Sequence, residues 1–146
     1  MKIKIINGPN MNMLGRREPD LYGVVTYEGL VEYVKNFALK NNVDVEFFQS
    51  NYEGALIDEI QKAYFDNVDG IVINPAAYSH TSIGILDALK AVNIPAVEVH
   101  MTDISEREEF RRKTYTSLYC FKIIKGLGKE GYIEAIKELM KVVKWK

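Results

Sequence analysis

Short apolar runs alternate along this chain with longer segments in which apolar residues recur at helical spacing. The clearest short run is Gly70–Ile73 (GIVI), whose unbroken apolar character is typical of a central parallel strand covered on both faces. The other runs predicted as strands are Lys2–Ile6, Val43–Phe48, Pro95–Val99 and Phe121–Lys125. Parallel strands need long crossover connections, and the amphipathic segments supply them. The alternation therefore predicts a doubly wound α/β sheet.

The amphipathic segments predict the helices of this sheet: Tyr27–Lys40, a segment carrying Leu56 to Tyr64, Thr81–Ala91, a short charged segment after Ser105, and Tyr132–Val143. Thr26 is the expected N-cap of the first helix. Ser50 with Glu53 has the spacing of a capping box, and so has Ser105 with Glu108. Right-handed crossovers favour the flavodoxin-like strand order 2-1-3-4-5 in a three-layer α/β/α arrangement.

Composition limits the class of protein. The chain has 146 residues, 47% of them hydrophobic and 27% charged, so we expect one domain over residues 1–146. The formal net charge of -1 argues against a nucleic-acid partner, because such proteins carry a basic surplus on one face. No apolar run reaches membrane-spanning length, and the chain begins with a predicted strand where a signal peptide would have an apolar region. We therefore expect a cytoplasmic protein that does not bind a membrane.

The single cysteine, Cys120, excludes an internal disulfide. It lies among Leu118, Tyr119, Phe121 and Ile123, and this apolar setting favours a buried thiol in a strand over a nucleophile. The sequence contains no cysteine–histidine pattern typical of a zinc site.

Polar segments follow the first, third and fourth predicted strands, at the edge where an open α/β sheet binds its ligands. They are Asn7–Asn10, Asn74–Ser82 and Glu98–Asp103. Both histidines of the chain, His80 and His100, fall in these segments. Their convergence predicts a site for a small, polar, hydroxyl-rich ligand.

Glu98 and His100 are two residues apart in a predicted strand, so their side chains leave the same face. A carboxylate beside an imidazole fixes its tautomer and favours the protonated ring, which suits a general acid. Taken alone, His100 is more simply a half-buried histidine with satisfied hydrogen bonds. A turn or a helix N-cap is in the same way the simpler reading of Asn7–Pro9, Ser79 and Thr81.

The segment from about Asn7 to Val25 is longer than most connections in compact α/β domains. Loops of this length are usually lids, binding loops or disordered segments. It contains RREPDLYG (Arg16–Gly23), which places a guanidinium and a phenol close together in the chain.

GLGKEG (Gly126–Gly131) matches the G-x-G-x-x-G pattern after a predicted strand. A dinucleotide fingerprint also needs a second strand with an acidic residue about twenty positions on, and only a helix follows here. The glycines therefore predict a tight strand-to-helix turn.

Motifs in four places carry a family resemblance: NGPNMNMLGRREPDLYG, NPAAYSHTS, EVHMTDISEREEFRR and GLGKEGY. Over nearly the whole chain, their order and spacing resemble those of the type II 3-dehydroquinate dehydratases. The resemblance implies a flavodoxin-like fold and the dehydration of 3-dehydroquinate to 3-dehydroshikimate by an enolate-type elimination in the shikimate pathway. It also implies that no metal or cofactor is used, and that the protein is a homododecamer built from trimers.

The resemblance implies the catalytic roles. Tyr22 matches the base that removes a proton from the carbon next to the substrate ketone, and Arg17 matches the loop arginine that stabilises the tyrosinate. His100 matches the acid that protonates the departing hydroxyl, with Glu98 as its orienting partner. Asn10 matches the residue that stabilises the enolate-like intermediate through a water.

Other positions match residues of the family that bind the substrate. Those implied for its hydroxyl groups are Asn74, His80 and Arg111. The backbone of Met101 and Thr102, with the Thr102 hydroxyl, matches the carboxylate site. Asp87 matches a residue contributed across a subunit contact.

The sequence departs from the common family pattern at several positions. Ala76 stands where glycine is usual, and Thr102 with Asp103 replaces a frequent Ser-Asn pair. Thr102 keeps the hydroxyl, whereas Asp103 introduces a negative charge near an anionic substrate.

Two rival functions stay open at this point. One is a flavodoxin-like module that binds a nucleotide or flavin without catalysis, and the other is a degenerate family member that only scaffolds an assembly. The incomplete phosphate-binding fingerprint and the joint presence of Tyr22, Arg17 and His100 favour the enzyme.

Overall fold

The computed structural model describes residues 1–16, 18, 20 and 25–143 of the chain. At its centre is a five-stranded parallel sheet. The strands are β1 (Lys2–Asn7), β2 (Asp44–Gln49), β3 (Gly70–Asn74), β4 (Ala96–His100) and β5 (Lys122–Lys125). Their order is β2-β1-β3-β4-β5, so the predicted flavodoxin-like order is confirmed.

Helices cover both faces of the sheet. Those in the described residues are α1 (Tyr27–Lys40), α2 (Glu53–Phe65), α3 (Ile83–Val92) and α4 (Glu130–Val142). One buried cluster packs α1 and α4 on the sheet, and a second packs α2 and α3 on the opposite face. Val72 of β3 belongs to the first cluster, and Ile71 and Ile73 belong to the second, because successive strand residues face opposite sides. This is the predicted three-layer arrangement.

The start of α1 agrees with the sequence. The Thr26 hydroxyl accepts a hydrogen bond from the Gly29 amide at 3.0 Å, which caps the helix. Leu30, Val34 and Ala38 then form its buried stripe.

Within the described part of the chain, none of the helices combines the length and the apolar character needed to cross a membrane.

The capping box predicted at Ser50 and Glu53 is wrong. The Ser50 hydroxyl accepts from the Tyr52 amide at 3.0 Å, within the turn that precedes α2. The helix begins at Glu53, with Tyr52 as an N-cap that makes no side-chain bond. A serine competes for nearby backbone amides, and here the nearer amide in the turn is the one it binds.

The charged helix predicted after Ser105 is also wrong. The chain forms two short 3-10 turns there, Ile104–Glu106 and Glu109–Arg111. The Ser105 hydroxyl donates to the Asp103 carboxylate, and the Glu108 carboxylate pairs with Arg111 at 2.7 Å. Both partners of the expected capping box are therefore engaged elsewhere.

The glycine-rich segment after β5 forms the predicted tight turn. Gly126 and Gly128 have φ of 82° and 56°, in the left-handed region that favours glycine. The Gly126 amide donates to the carbonyls of His100 at 3.2 Å and Thr102 at 3.1 Å, and the Gly128 amide donates to Met101 at 3.0 Å. The turn thus fixes the backbone that follows β4.

The position of Cys120 differs in part from the prediction. The residue lies ahead of β5, outside any strand, and is only partly buried as a whole. Burial nevertheless raises the pKa of its thiol, as in the apolar setting that the sequence indicated.

Candidate active site

A pocket opens at the carboxyl ends of the central strands. The site residues expected from the sequence that line it are Asn10, Asn74, His80, His100, Met101, Thr102 and Arg111. Glu98 is fully buried and bonded to His100, whereas Asp87 lies exposed on α3 and does not line the pocket. The segments that follow β1, β3 and β4 therefore meet in one place.

Glu98 and His100 form a buried pair on β4. His100 Nε2 lies 2.6 Å from Glu98 Oε1, and a carboxylate can only accept, so this ring nitrogen carries the hydrogen. Nδ1 is then the ring nitrogen left for a ligand in the pocket. His100 is 5% exposed, so it is more deeply buried than the half-buried histidine that was the simpler alternative from the sequence. Its side chain nevertheless lines the pocket.

The second oxygen of Glu98 has its own donor, which sequence reasoning missed. The Thr114 hydroxyl donates to Glu98 Oε2 at 3.2 Å. Thr114 is 16 residues away in sequence and follows no strand, so the strand-end argument could not find it.

His80 presents a defined hydrogen-bonding surface. Its Nδ1 lies 2.8 Å from the Lys113 carbonyl, which can only accept, so Nδ1 carries the hydrogen. Burial lowers the pKa of His80, which favours the neutral ring at neutral pH. Nε2 is then an acceptor suited to a ligand hydroxyl. The ring stacks with that of His100 at a centroid distance of 6.3 Å.

Asn74, at the end of β3, is fixed by a buried network. Its Nδ2 donates to the Tyr132 hydroxyl at 3.0 Å, and its Oδ1 accepts from the Ala76 amide at 3.1 Å. The Tyr132 hydroxyl in turn donates to Asn7 Oδ1 at 2.6 Å. Burial raises the pKa of Tyr132, so the phenol stays protonated and bridges two strand ends.

The segment after β1 packs directly on the segment after β3. The Gly8 amide donates to the Asn74 carbonyl at 2.8 Å, and a Cβ at Gly8 would lie 2.3 Å from the Pro75 oxygen. Only glycine permits this approach. Asn10 follows in the left-handed region, with φ of 68°, and its amide donates to Asn51 Oδ1 at 3.0 Å.

Two arginines give one wall of the pocket a positive charge. Arg111, expected from the sequence, donates from Nε to Glu108 at 2.7 Å, and Arg107 is an additional lining residue that sequence reasoning missed. The Asp103 carboxylate is bonded to the hydroxyl and amide of Ser105, which lower its pKa, and it does not line the pocket. The Asp103 carboxylate therefore stabilises a local turn and is not part of the pocket lining.

Arg17 and Tyr22 lie outside the described residues.

Among the residues that are described, no group of three or more His, Cys, Asp or Glu side chains could hold a metal ion.

Comparison with known proteins gives one consistent family. The family model described as dehydroquinase class II matches residues 1–140. A protein of Clostridium beijerinckii named 3-dehydroquinate dehydratase is 51% identical over 139 residues, which are 95% of each chain. One of Clostridium perfringens with the same name is 49% identical over 146 residues and all of both chains.

Solved structures agree with this family. The type II dehydroquinase of Butyrivibrio crossotus superposes with a TM-score of 0.95 at 51% identity, covering 96% of this chain and 97% of that one. The type II dehydroquinase of Propionibacterium acnes gives 0.92 at 39% identity, covering 96% of each chain. By sequence over its full length and by fold, the chain belongs to the class II dehydroquinase family.

Proposed function

We propose that this chain dehydrates 3-dehydroquinate to 3-dehydroshikimate, the reaction that its family membership implies. The observation that carries the proposal is the buried Glu98–His100 pair, whose imidazole lines a polar pocket at the carboxyl edge of the sheet. An imidazole with one nitrogen bonded to a carboxylate and the other facing a ligand suits proton transfer to a leaving hydroxyl. The reaction is an enolate-type elimination in the shikimate pathway.

His100 is the proposed acid. Loss of hydroxide is unfavourable at neutral pH, and a proton from the imidazolium lets the group depart as water. Glu98 supports this step because its carboxylate, bonded to Nε2, stabilises the positive ring that donates the proton.

Tyr22 is the proposed base, and Arg17 is proposed to stabilise its anion. A free tyrosine has a pKa of about 10, so ionising it at pH 7 costs about 4 kcal/mol. A nearby guanidinium favours the anion, and exclusion of water strengthens that attraction. Arg17 and Tyr22 are five positions apart in RREPDLYG, and this closeness in sequence supports their assignment to one catalytic step. The proton that is removed lies next to a ketone, which makes it more acidic.

The remaining pocket residues are proposed to bind the substrate. His80 offers an acceptor and Arg111 a donor for its hydroxyl groups, with Asn74 fixed between β1 and β3 for the same purpose. Met101 and Thr102 are proposed to hold the carboxylate, which Arg107 and Arg111 favour electrostatically. Asn10 is proposed to stabilise the enolate through a water.

We also propose that the chain acts as a homododecamer built from trimers, in the cytoplasm. Asp87 supports the assembly, since it is exposed on α3 and outside the pocket of its own chain. It is therefore available to a neighbouring copy. Size-exclusion chromatography tests the assembly: a large oligomer is expected, and a monomer would contradict the role given to Asp87.

The test of the activity is to add 3-dehydroquinate and follow the ultraviolet absorbance of the conjugated product. Turnover without an added cofactor is expected, and no turnover by folded, assembled protein would refute the proposal. Flavin absorbance in the purified protein would instead favour the binding module. No Schiff base is proposed, so substrate with borohydride should leave the enzyme active, and labelling of a lysine would indicate another mechanism.

A further inference from the structure

Glu98 is an enclosed carboxylate with a partner on each oxygen. Its side chain has 0% exposure, Oε1 binds His100 Nε2 at 2.6 Å and Oε2 binds the Thr114 hydroxyl at 3.2 Å. A buried carboxylate is costly unless each oxygen finds a donor. The Thr114 hydroxyl is therefore part of what keeps Glu98 in place beside the imidazole.

Thr114 is itself held firmly. It is 5% exposed and lies between the 3-10 turns Glu109–Arg111 and Thr116–Leu118. Its carbonyl accepts from the Ser117 hydroxyl at 2.9 Å, and the amide of the next residue, Tyr115, donates to the Ser79 carbonyl at 2.8 Å. The hydroxyl thus reaches Glu98 from a fixed backbone.

The same short segment also orients the second histidine of the pocket. Lys113, directly before Thr114, accepts from His80 Nδ1 at 2.8 Å. Adjacent residues therefore hold the two histidines, His80 through a backbone carbonyl and His100 through Glu98. This arrangement links the segment to both sides of the pocket.

We propose that Thr114 is a positioning residue for the acid step: its hydroxyl holds the Glu98 carboxylate in the orientation that supports protonated His100. This rests on the proposed role of His100 as the acid. Without the hydroxyl, Oε2 loses the donor that it has among the described residues, so the buried carboxylate turns and supports the imidazolium less well. The base step does not use this contact.

Thr114→Val keeps the shape of the side chain and removes the hydroxyl. We expect kcat to fall by roughly ten- to one-hundredfold, the range for losing a hydrogen bond to a charged group. We expect KM to change by less than about threefold, because the residues that bind substrate keep their partners. Thr114→Ser restores the hydroxyl and should recover most of kcat.

Thr116→Val is the matched control. Thr116 lies two residues further on and is likewise buried, but its hydroxyl has no hydrogen-bond partner in the described part of the chain. The same change of residue type should therefore leave kcat and KM as in the unmodified protein. If both variants lose activity equally, the segment matters only for folding and the proposal is overturned.

An isotope measurement separates positioning of the acid from general damage. In deuterated water, the base removes a proton next to the ketone, and an enolate that cannot lose its hydroxyl returns to substrate carrying deuterium. If Thr114→Val impairs the acid, substrate recovered at partial conversion should contain more deuterium at that carbon than with the unmodified enzyme. Unchanged kcat, or a lower kcat without extra deuterium, would overturn the proposal. Absence of turnover in the unmodified protein would instead refute the proposed function.

Discussion

The Tyr132 hydroxyl accepts a hydrogen bond from Asn74 at 3.0 Å and donates one to Asn7 at 2.6 Å, which joins α4 to the ends of β1 and β3. Tyr132 is completely buried, and a phenol in that position is stable only with such partners. The helix that covers the sheet therefore also orients a residue of the pocket.

Tyr132→Phe should destabilise the protein by about 1–3 kcal/mol, because it leaves polar groups of Asn7 and Asn74 buried without their partner. Urea unfolding measures this change, and KM for the substrate should rise because Asn74 is no longer fixed. Tyr64→Phe is the control, since Tyr64 is 58% exposed, and its unfolding free energy should stay unchanged. Equal stability of the two variants would show that the bridge contributes nothing.

Ala76→Gly should stabilise the protein slightly. Ala76 has φ of 52°, a conformation that costs a non-glycine residue about 1–2 kcal/mol. Glycine relieves that strain but adds about 0.4–1 kcal/mol of unfolded-state entropy, so a net gain of about 0.5 kcal/mol is expected. Ala77→Gly, in the same turn but without a positive φ, should destabilise. Thermal unfolding of the two variants checks whether their effects have opposite signs.

Acidification should lower the free energy of unfolding, and protonation of Glu46 should account for part of the loss. Hydrogen bonds from Lys4 and Lys2 lower the pKa of Glu46 from 4.5 to about 2. A carboxyl whose folded-state pKa is lowered contributes stability above its unfolded pKa and loses it as the pH falls toward the folded value. The loss should therefore develop between about pH 4.5 and pH 2.

The size of that effect is limited by exposure. The Glu46 side chain is 40% exposed, so screening by water should keep its contribution to about 1 kcal/mol or less. Comparing urea unfolding at pH 6 and pH 3 for Glu46→Gln and the unmodified protein tests this. The variant should lose less stability on acidification, and an identical loss would exclude the carboxyl.

Tyr22→Phe should lose nearly all turnover, by about one-hundredfold or more, since it removes the proposed base. Substrate binding should persist, because the pocket residues stay in place, and calorimetry with 3-dehydroquinate would show it. Tyr64→Phe should retain full activity. Appreciable residual turnover by Tyr22→Phe would remove Tyr22 as the base.

The sheet and the centre of the site were predictable because both follow from periodicity. The alternation of short apolar runs with amphipathic segments predicts a parallel sheet, and the parallel sheet brings its strand ends together. The two-residue spacing of Glu98 and His100 then places both side chains on one face, and they lie 2.6 Å apart.

The features that the sequence did not predict depend on distant contacts. The sequence predicted Tyr132 only as the first residue of an amphipathic helix, since nothing local shows that its hydroxyl meets Asn7 and Asn74. Thr114 was missed for the same reason. The two predicted capping boxes were wrong for a local reason. Their spacing was correct, but Ser50 bonds to the Tyr52 amide and Ser105 bonds to Asp103, which are nearer in the sequence.

The contact between Gly8 and Pro75 has a consequence for redesign of the pocket. Since no side chain fits at Gly8, the segments after β1 and β3 form one unit in which neither can shift alone. Chimeras that exchange pocket segments with a relative should therefore transfer both segments together. Grafting only one of them would disturb the contact between Gly8 and Pro75, even where every catalytic residue is retained.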